Sequence, residues 1–465
     1  MNEKTRYLSK NVILFMLNGF APKIFSFVLI PLYTYYLTAS EYGIVDLINT
    51  TVFLLIPIFT LDMQDSMIRF ALDKNYPNDE VFSIGMNVAI KGTILIAIIC
   101  VFLSLLRIPG VNNLYLAFII IIYFTTACNS IVSYFCRGID KVSSVMFSST
   151  ITAACTVALN ILLLAVWHWG MIGFLLANSL GTILGTIYCI INAELYKYWK
   201  FSISKAIFKD MLHFSFPLIF GAVAWWFNTS ATRYILTWEI NIEASGLFAV
   251  AFKIPTILTV FQSIFSQAWS ISAIKEFDAN DTDGFISNTH NLVTIGMILT
   301  CSLLMIFNIP IAWLLYSNEF FEAWYLVPPL LVSVVFLAGV LFIGGILMAV
   351  KDTKAMSYSV IIGAIANFIG SIFFIWVMGI YGASFSAFLS YGIMLFAHYK
   401  VLRKHIRLRI KWQYQLISYL LLIIQMGVAI KGTELIFVQI IIFIILCYIN
   451  KNAIRYIINN ILKKF

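Results

Sequence analysis

Four basic residues of this sequence lie inside long apolar segments, where a charge is costly. They are Lys23, Lys91, Arg233 and Lys253. A cation at the centre of a bilayer costs about 2.5–3.5 kcal/mol even on the most favourable insertion scale. Such residues predict a water-filled or protein-lined cavity in the membrane. Because cations outnumber acids among the intramembrane residues, the cavity would suit an anionic substrate.

Depth in the membrane divides these four residues into two pairs. Lys91 lies about two turns from the predicted cytoplasmic end of its span and Arg233 about one turn from the outer end, so both side chains could reach the interface instead. Lys23 and Lys253 lie about ten or more residues from either end, roughly 15 Å at 1.5 Å per residue. We therefore predict all four as substrate-binding residues, with Lys23 and Lys253 the stronger candidates.

Two acidic residues near the second predicted span are candidates for binding a coupling ion. Asp46 lies in the first turns of that span, where the helix dipole alone would also favour an anion. Asp62 lies near the other end of the same span. The coupling ion could be H⁺ or Na⁺, and the sequence does not distinguish them.

The cysteines indicate no further cofactor. All seven fall inside apolar segments, and the sequence contains no Cys-x-x-Cys motif or Cys/His cluster. Disulfide and metal-binding interpretations are therefore disfavoured. We expect no metal and no catalytic residue.

The elements that must position these charges are transmembrane helices. The chain of 465 residues is 61% hydrophobic and 11% charged, whereas soluble domains average about 45–50% apolar and about 25% charged residues. A membrane span needs roughly 20 apolar residues, and such stretches recur from end to end. The sequence thus predicts an all-α integral membrane protein. We expect about fourteen spans, at 11–37, 43–64, 84–106, 114–136, 145–167, 171–193, 212–236, 243–270, 290–315, 326–350, 357–377, 381–402, 416–430 and 435–450.

The distribution of basic residues predicts the orientation of these spans. Most of the 30 Lys and Arg residues fall in loops on one side, and the other side has only Arg107 and Lys431. By the positive-inside rule, both termini are cytoplasmic, and we expect a bacterial cytoplasmic (inner) membrane protein. The bias also accounts for the net charge of +9 without any binding of nucleic acid.

A weak internal repeat predicts the domain organisation. Asn160 followed by Gly170-x-x-Gly173 resembles Asn367 followed by Gly379-x-x-Gly382. The offset of about six spans keeps both copies in the same orientation, and such repeats place the binding site between two bundles near the midplane. We predict two six-helix bundles followed by two extra helices and an amphipathic tail. The ranges are 1–200, 201–410 and 411–465.

Four short motifs recur in order along the chain: Phe20-Ala-Pro-Lys-Ile-Phe-Ser-Phe27, Leu37-Thr-Ala-Ser-Glu-Tyr-Gly43, Phe214-Ser-Phe-Pro-Leu218 and Gly246-Leu-Phe-Ala-Val-Ala-Phe-Lys-Ile-Pro255. These motifs resemble those of the polysaccharide transport family, the Wzx-type O-antigen and capsule flippases of the MOP superfamily. Their order and spacing over roughly residues 10–400 carry the resemblance more than any single motif does.

The resemblance implies a MATE-like fold, in which two six-helix bundles form a V and two C-terminal helices follow. It implies transport of an undecaprenyl-pyrophosphate-linked glycan, such as an O-antigen, capsule or exopolysaccharide unit, from the inner to the outer leaflet by alternating access. Polysaccharide polymerase or assembly proteins would be partners. Lys23 and Lys253 would be cavity cations on spans one and eight. One departure is Ala231-Thr232, where the family often has an acid before the Arg-Tyr pair.

Three other functions compete with this interpretation. A lipid II flippase is equally compatible with fourteen spans and a cationic cavity. A multidrug exporter of the MATE type would need intramembrane acids to bind organic cations. A polysaccharide polymerase or ligase would need a large external loop, and the predicted outer loops are short.

Overall fold

The computed structural model describes residues 27–107, 112–200, 203–406, 408–409, 412–451, 453 and 455. Lys23 therefore lies outside the described residues, as does most of the predicted amphipathic tail. The described residues form helices and no β-strand. The all-α fold class is confirmed.

The α-helices of the described residues follow one another with short connections. They are α1 (Phe27–Tyr36), α2 (Ala39–Phe59), α3 (Met63–Leu72), α4 (Asn78–Leu105), α5 (Asn113–Gly138), α6 (Val142–Asn160), α7 (Gly170–Asn192), α8 (Lys205–Thr229), α9 (Ala231–Glu239), α10 (Ile242–Ala251), α11 (Lys253–Lys275), α12 (Phe285–Ile306), α13 (Asn308–Leu315), α14 (Val327–Ala349), α15 (Thr353–Met378), α16 (Ile380–Leu402), α17 (Trp412–Ala429) and α18 (Ile436–Ile449).

Within these described residues, 12 helices are long and apolar enough to cross a membrane. The chain is therefore a multi-pass membrane protein. Each of the fourteen predicted spans overlaps a helix, but within the described residues the first overlaps only the shorter apolar helix Phe27–Tyr36, and the thirteenth overlaps α17, which is not among the twelve. The number fourteen is thus approximate.

The eighth and ninth predicted spans are each divided into two helices. The breaks fall at Phe252 and Phe307, each three residues before a proline, Pro255 and Pro310. Proline has no N–H group, so it is tolerated in the first turn of a helix but interrupts the interior of one. Each proline therefore lies in the first turn of the second helix of its pair.

The helices belong to two compact units, one within Ala21–Ser230 and the other within Ala231–Phe465. The boundary lies inside the predicted seventh span, at the end of α8. The first unit thus includes α8 as well as the helices before it. The predicted division into bundles 1–200 and 201–410 stays a prediction.

In the first unit, α6 and α7 pack closely through small residues. A Cβ atom added at Gly181 or Gly185 would overlap the hydroxyl group of Thr156 or Thr152. Ser148 of α6 also donates a hydrogen bond to the Gly185 carbonyl, at 2.7 Å. Close approach through small residues is the usual way in which membrane helices associate.

In the second unit, α14 is the most buried long helix and packs against α11, α12 and α16. Trp269 of α11 stacks on Phe342 of α14 with ring centroids 4.2 Å apart. The Trp269 indole N–H also donates to the Phe342 carbonyl at 2.8 Å. These contacts fix α11, which begins at Lys253.

The two glycine pairs of the sequence repeat occupy equivalent places in the two units. Gly170 and Gly379 have positive φ angles of 52° and 59°, at the starts of α7 and α16. A Cβ atom at Gly173 or Gly382 would lie too close to residues of the segment that precedes its helix. In both helical hairpins, α6–α7 and α15–α16, a glycine with positive φ is thus followed three residues later by a glycine that permits close packing, which supports the repeat.

Candidate functional site

Lys253 lies where α10 ends and α11 begins. Its side chain is half-buried, and its carbonyl group accepts a hydrogen bond of 2.5 Å from the Thr256 hydroxyl. Because Pro255 cannot donate to the turn before it, the backbone at this point does not continue as one helix. α10 and α11 are therefore separate helices, and Lys253 lies at the break between them.

Arg233 lies beside the same break. Its guanidinium carbon is 5.5 Å from the centre of the Phe252 ring, and Phe252 directly precedes Lys253 in the chain. Cations over an aromatic face at this distance are attracted by about 0.5–2 kcal/mol. Arg233 is also within electrostatic range of the buried Tyr391. The second unit therefore brings two of the four predicted cationic residues to one region.

A buried polar network fixes the start of α9, next to Arg233. The Thr232 hydroxyl donates to Asn367 Oδ1 at 2.8 Å and lies 2.9 Å from the Ser371 hydroxyl. Ser371 also contacts Ser386 at 3.2 Å, and the Asn367 amide donates to Ser390 at 3.2 Å. These five side chains connect α9 with α15 and α16.

The network accounts for the departure from the family pattern at Thr232. All five of its side chains are buried, and buried polar groups of this kind specify one arrangement when their hydrogen bonds are satisfied. Thr232 forms a neutral hydrogen-bond anchor at the position where an acid often occurs in that family. Sequence reasoning missed Ser371, Ser386 and Ser390, because isolated serines in apolar spans have no distinguishing spacing.

The structure does not place the other two predicted cations, Lys91 and Lys23, beside Arg233 and Lys253. Lys91 lies on α4, in the first unit, and is exposed. Lys23 lies outside the described residues. Substrate binding by either residue stays a prediction.

Asp46 is not the residue that caps its helix. The Thr38 backbone N–H donates to Glu41 Oε2 at 3.0 Å, and the Glu41 N–H donates to the Thr38 hydroxyl at 3.2 Å. This capping box supplies hydrogen-bond partners to backbone N–H groups at the start of α2. Asp46 is half-buried in a later turn, beyond the first turn where the helix dipole acts. The dipole alone therefore does not explain an acid at this position, and its coupling role stays a prediction.

Asp62 falls within the predicted span 43–64 but lies beyond the end of α2, which ends at Phe59. Leu61 and Asp62 both have positive φ angles, 53° and 49°, and this left-handed turn ends the helix. The Asp62 side chain is buried and accepts a hydrogen bond of 2.8 Å from the Gln64 amide. Burial, followed by the nearby charge of Asp65, raises the pKa of the Asp62 carboxyl to about 6.

This raised pKa predicts a pH-dependent stability. The folded state holds a proton on Asp62 more tightly than the unfolded state does, so stability should fall as the pH rises from about 4 to about 6. Asp62→Asn should therefore be more thermostable than the wild type at about pH 7, and the difference should vanish near pH 4. Thermal unfolding of the purified protein across this pH range measures the effect. Asp140→Asn is the control, since Asp140 is exposed in another left-handed turn of the same unit. Equal pH profiles for Asp62→Asn and the wild type would contradict the prediction.

In the described parts of the chain, no group of three or more His, Cys, Asp and Glu side chains could hold a metal ion. The expectation of no cofactor beyond a coupling ion stays a prediction.

The family model for polysaccharide biosynthesis proteins matches residues 8–271, which is more than half of the chain. The chain belongs to this family. No curated protein matches this family member by sequence.

Solved structures share its fold at low sequence identity. The lipid II flippase MurJ in an inward closed conformation aligns with a TM-score of 0.72 and 15% identity, covering 95% of this chain and 100% of that chain. An inward-facing MATE family multidrug resistance transporter of the MOP superfamily aligns with a TM-score of 0.64 and 12% identity, covering 90% and 96%. An outward-facing MATE family transporter aligns with a TM-score of 0.62 and 14% identity, covering 86% and 95%. The family member therefore has a MurJ/MATE-like fold, which confirms the MATE-like fold that the family resemblance implied.

Proposed function

We propose that this protein is a flippase that moves an undecaprenyl-pyrophosphate-linked oligosaccharide from the inner to the outer leaflet of the cytoplasmic membrane. The observation that carries the proposal is its membership of a polysaccharide biosynthesis family combined with a transporter fold along nearly the whole chain. Such a fold in such a family supports translocation of a lipid-linked sugar better than it supports catalysis.

The cationic cluster of the second unit supports an anionic substrate. Arg233 lies over Phe252, and Lys253 follows at the helix break. A pyrophosphate bound there would accept charge-assisted hydrogen bonds. Substrate binding by Lys23 and Lys91 stays a prediction from the sequence.

Lipid II is the second candidate substrate, because the MurJ structure is named as a lipid II flippase. Lipid II also carries a pyrophosphate on a polyprenyl chain, so the cationic cluster suits either molecule. The MATE-type multidrug exporter is less favoured, since Arg233 and Lys253 would repel an organic cation.

A deletion strain tests the proposal. If the protein flips a polysaccharide precursor, the deletion should accumulate that undecaprenyl-linked oligosaccharide on the inner leaflet while lipid II stays at its normal level. Accumulation of lipid II would establish the second candidate instead. Normal pools of both lipids would reject both proposals.

The proposed direction of transport requires cytoplasmic termini, and enzyme fusions test this orientation. Alkaline phosphatase fused after Ser317, in the connection that follows α13, should be active because the charge asymmetry places this loop outside. A fusion after Asn280, between α11 and α12, should be inactive, as should one after Lys141, between α5 and α6. The reverse pattern would contradict the orientation and with it the proposed direction.

A further inference from the structure

A cavity of about 510 Å³ lies between α12, α17 and α18 in the second unit. The charge asymmetry places this end of the helices at the cytoplasmic surface. Its polar lining includes amide, phenol and ammonium groups and no carboxylate among the described residues. The polar side chains that matter here are Asn288, Asn291, Tyr414, Gln415, Tyr448 and Lys451. The cavity does not include Arg233 or Lys253.

Gln415, which lines this cavity, has an unused hydrogen-bond acceptor. Its side chain is 5% exposed, and its amide nitrogen donates to Asn291 Oδ1 at 3.1 Å and lies 3.3 Å from His290 Nδ1. Its amide oxygen is buried and has no hydrogen-bond partner in the described structure. A buried acceptor of this kind requires a donor, and the described protein groups around it supply none.

Lys451 supplies positive charge at the mouth of the same cavity. Its ammonium group lies 4.7 Å from the centre of the Tyr448 ring. Tyr414 and Tyr448 are 51% and 69% exposed, as is typical of the tyrosines that mark a membrane–water interface. A lysine at the membrane–water interface binds phosphate as a point charge. The cavity therefore offers a phosphate site at its mouth and a site for a hydrogen-bond donor inside.

We propose that this cavity binds the headgroup of a phospholipid from the inner leaflet, one that carries a hydrogen-bond donor beyond its phosphate. The phosphate lies against Lys451, and the ammonium of ethanolamine or the hydroxyl of glycerol donates to Gln415 Oε1. The cavity walls Leu292, Ile295 and Ile449 are apolar and suit the start of the acyl chains. Choline has no such donor, so phosphatidylcholine would leave Gln415 unsatisfied.

The bound headgroup would also stabilise the packing of the last two helices. Gln415 belongs to α17, and through His290 of α12 it is connected to Tyr399 of α16, whose hydroxyl lies 2.5 Å from His290 Nε2. A ligand that fixes the Gln415 amide therefore holds three helices of the second unit in one arrangement. Binding to the folded state alone raises the melting temperature.

The test compares the melting temperature of the full-length protein in phosphatidylcholine vesicles with and without an equal mole fraction of phosphatidylethanolamine or phosphatidylglycerol. Both donor-bearing lipids should raise the melting temperature by several degrees over phosphatidylcholine alone. Gln415→Leu and Lys451→Gln should each remove most of this difference. Because the difference is measured within each variant, a general loss of stability does not affect it.

Two other variants of the second unit are matched controls. Gln425 is another buried glutamine of α17, but its amide oxygen accepts from the Ser302 hydroxyl at 2.5 Å and its amide nitrogen donates to the Ser302 carbonyl at 3.0 Å. Lys431 is an exposed lysine beyond the opposite end of α17. Gln425→Leu and Lys431→Gln should retain the lipid effect.

Three outcomes of the melting-temperature comparison would overturn the proposal. Equal melting temperatures in all lipids would mean that water alone fills the cavity. An equal loss of the lipid effect in the control variants would place the lipid elsewhere. Soluble phosphoethanolamine or glycerol phosphate, added to phosphatidylcholine vesicles, should have no effect at the same total concentration. An equal rise with these compounds would show a free phosphate site rather than a lipid site.

Discussion

Lys253→Met should reduce glycan export about tenfold or more at matched protein levels. A hydrogen bond to a charged group contributes about 1.5–3 kcal/mol, and about 1.4 kcal/mol corresponds to a factor of ten. Methionine keeps the apolar stem of lysine and removes only the charge, so it separates substrate binding from packing. Export measured in a flippase-deficient strain, with the protein level quantified in membranes, gives the result.

Three further variants define what this result means. Lys253→Arg should retain part of the export, because a cation remains but its geometry differs. Lys275→Met, at the opposite end of the same helix α11, should export normally. Arg233→Met should impair export as Lys253→Met does, since both cations are assigned to one anion.

The alternative for Lys253 is a purely structural role. In that case Lys253→Ala would lower the protein level, and Lys253→Met would restore both level and export. Lys23 belongs to the same experiment, because the family resemblance assigns it an equivalent role on the first span. Normal export by the double variant Lys23→Met, Lys253→Met would reject the anion-binding role of both residues.

Gly382→Ala should abolish accumulation of folded protein. A Cβ atom at this position would overlap the carbonyl group of Phe374, which belongs to the backbone of α15. Backbone cannot move aside as a flexible side chain can. Overpacking typically costs about 1–3 kcal/mol and more where nothing can relax, a large part of a total stability of about 5–15 kcal/mol. Size-exclusion chromatography of a fluorescent fusion measures the folded fraction.

Gly427→Ala is the matched control for this prediction. Gly427 lies inside α17 and has no neighbouring atom within 4 Å of an added Cβ. Alanine is the better helix former by about 1 kcal/mol, so the control should fold at least as well as the wild type. Normal folding of Gly382→Ala would show that α15 and α16 pack less closely than the structure indicates.

The helices could be predicted from the sequence because a membrane span depends mainly on length and apolar composition. Every predicted span overlaps a helix for this reason. The breaks at Ser230 and Phe252 could not be placed to the residue, since apolar composition continues across them. The end of α2 before Asp62 was also not predicted, because the left-handed conformation of Leu61 and Asp62 does not change the hydrophobicity pattern of the sequence.

The candidate site could be predicted only in part. The cations were conspicuous because charge is rare in apolar segments, and the structure brings Arg233 close to the Lys253 break. The Thr232 and Asn367 network was not predictable, since it depends on the tertiary contact of α9 with α15 and α16. The unused acceptor on Gln415 depends likewise on which neighbours fill its other hydrogen bonds.

Translocation by the purified protein is the direct test of the proposed flippase activity. Vesicles containing the protein would receive an undecaprenyl-pyrophosphate-linked oligosaccharide in one leaflet, and a membrane-impermeant glycosidase would report its appearance in the other. We expect protein-dependent transfer that the Lys253→Met variant loses and the Lys275→Met variant keeps. No transfer above protein-free vesicles, under conditions where the folded protein binds the lipid-linked glycan, would contradict the proposed flippase activity.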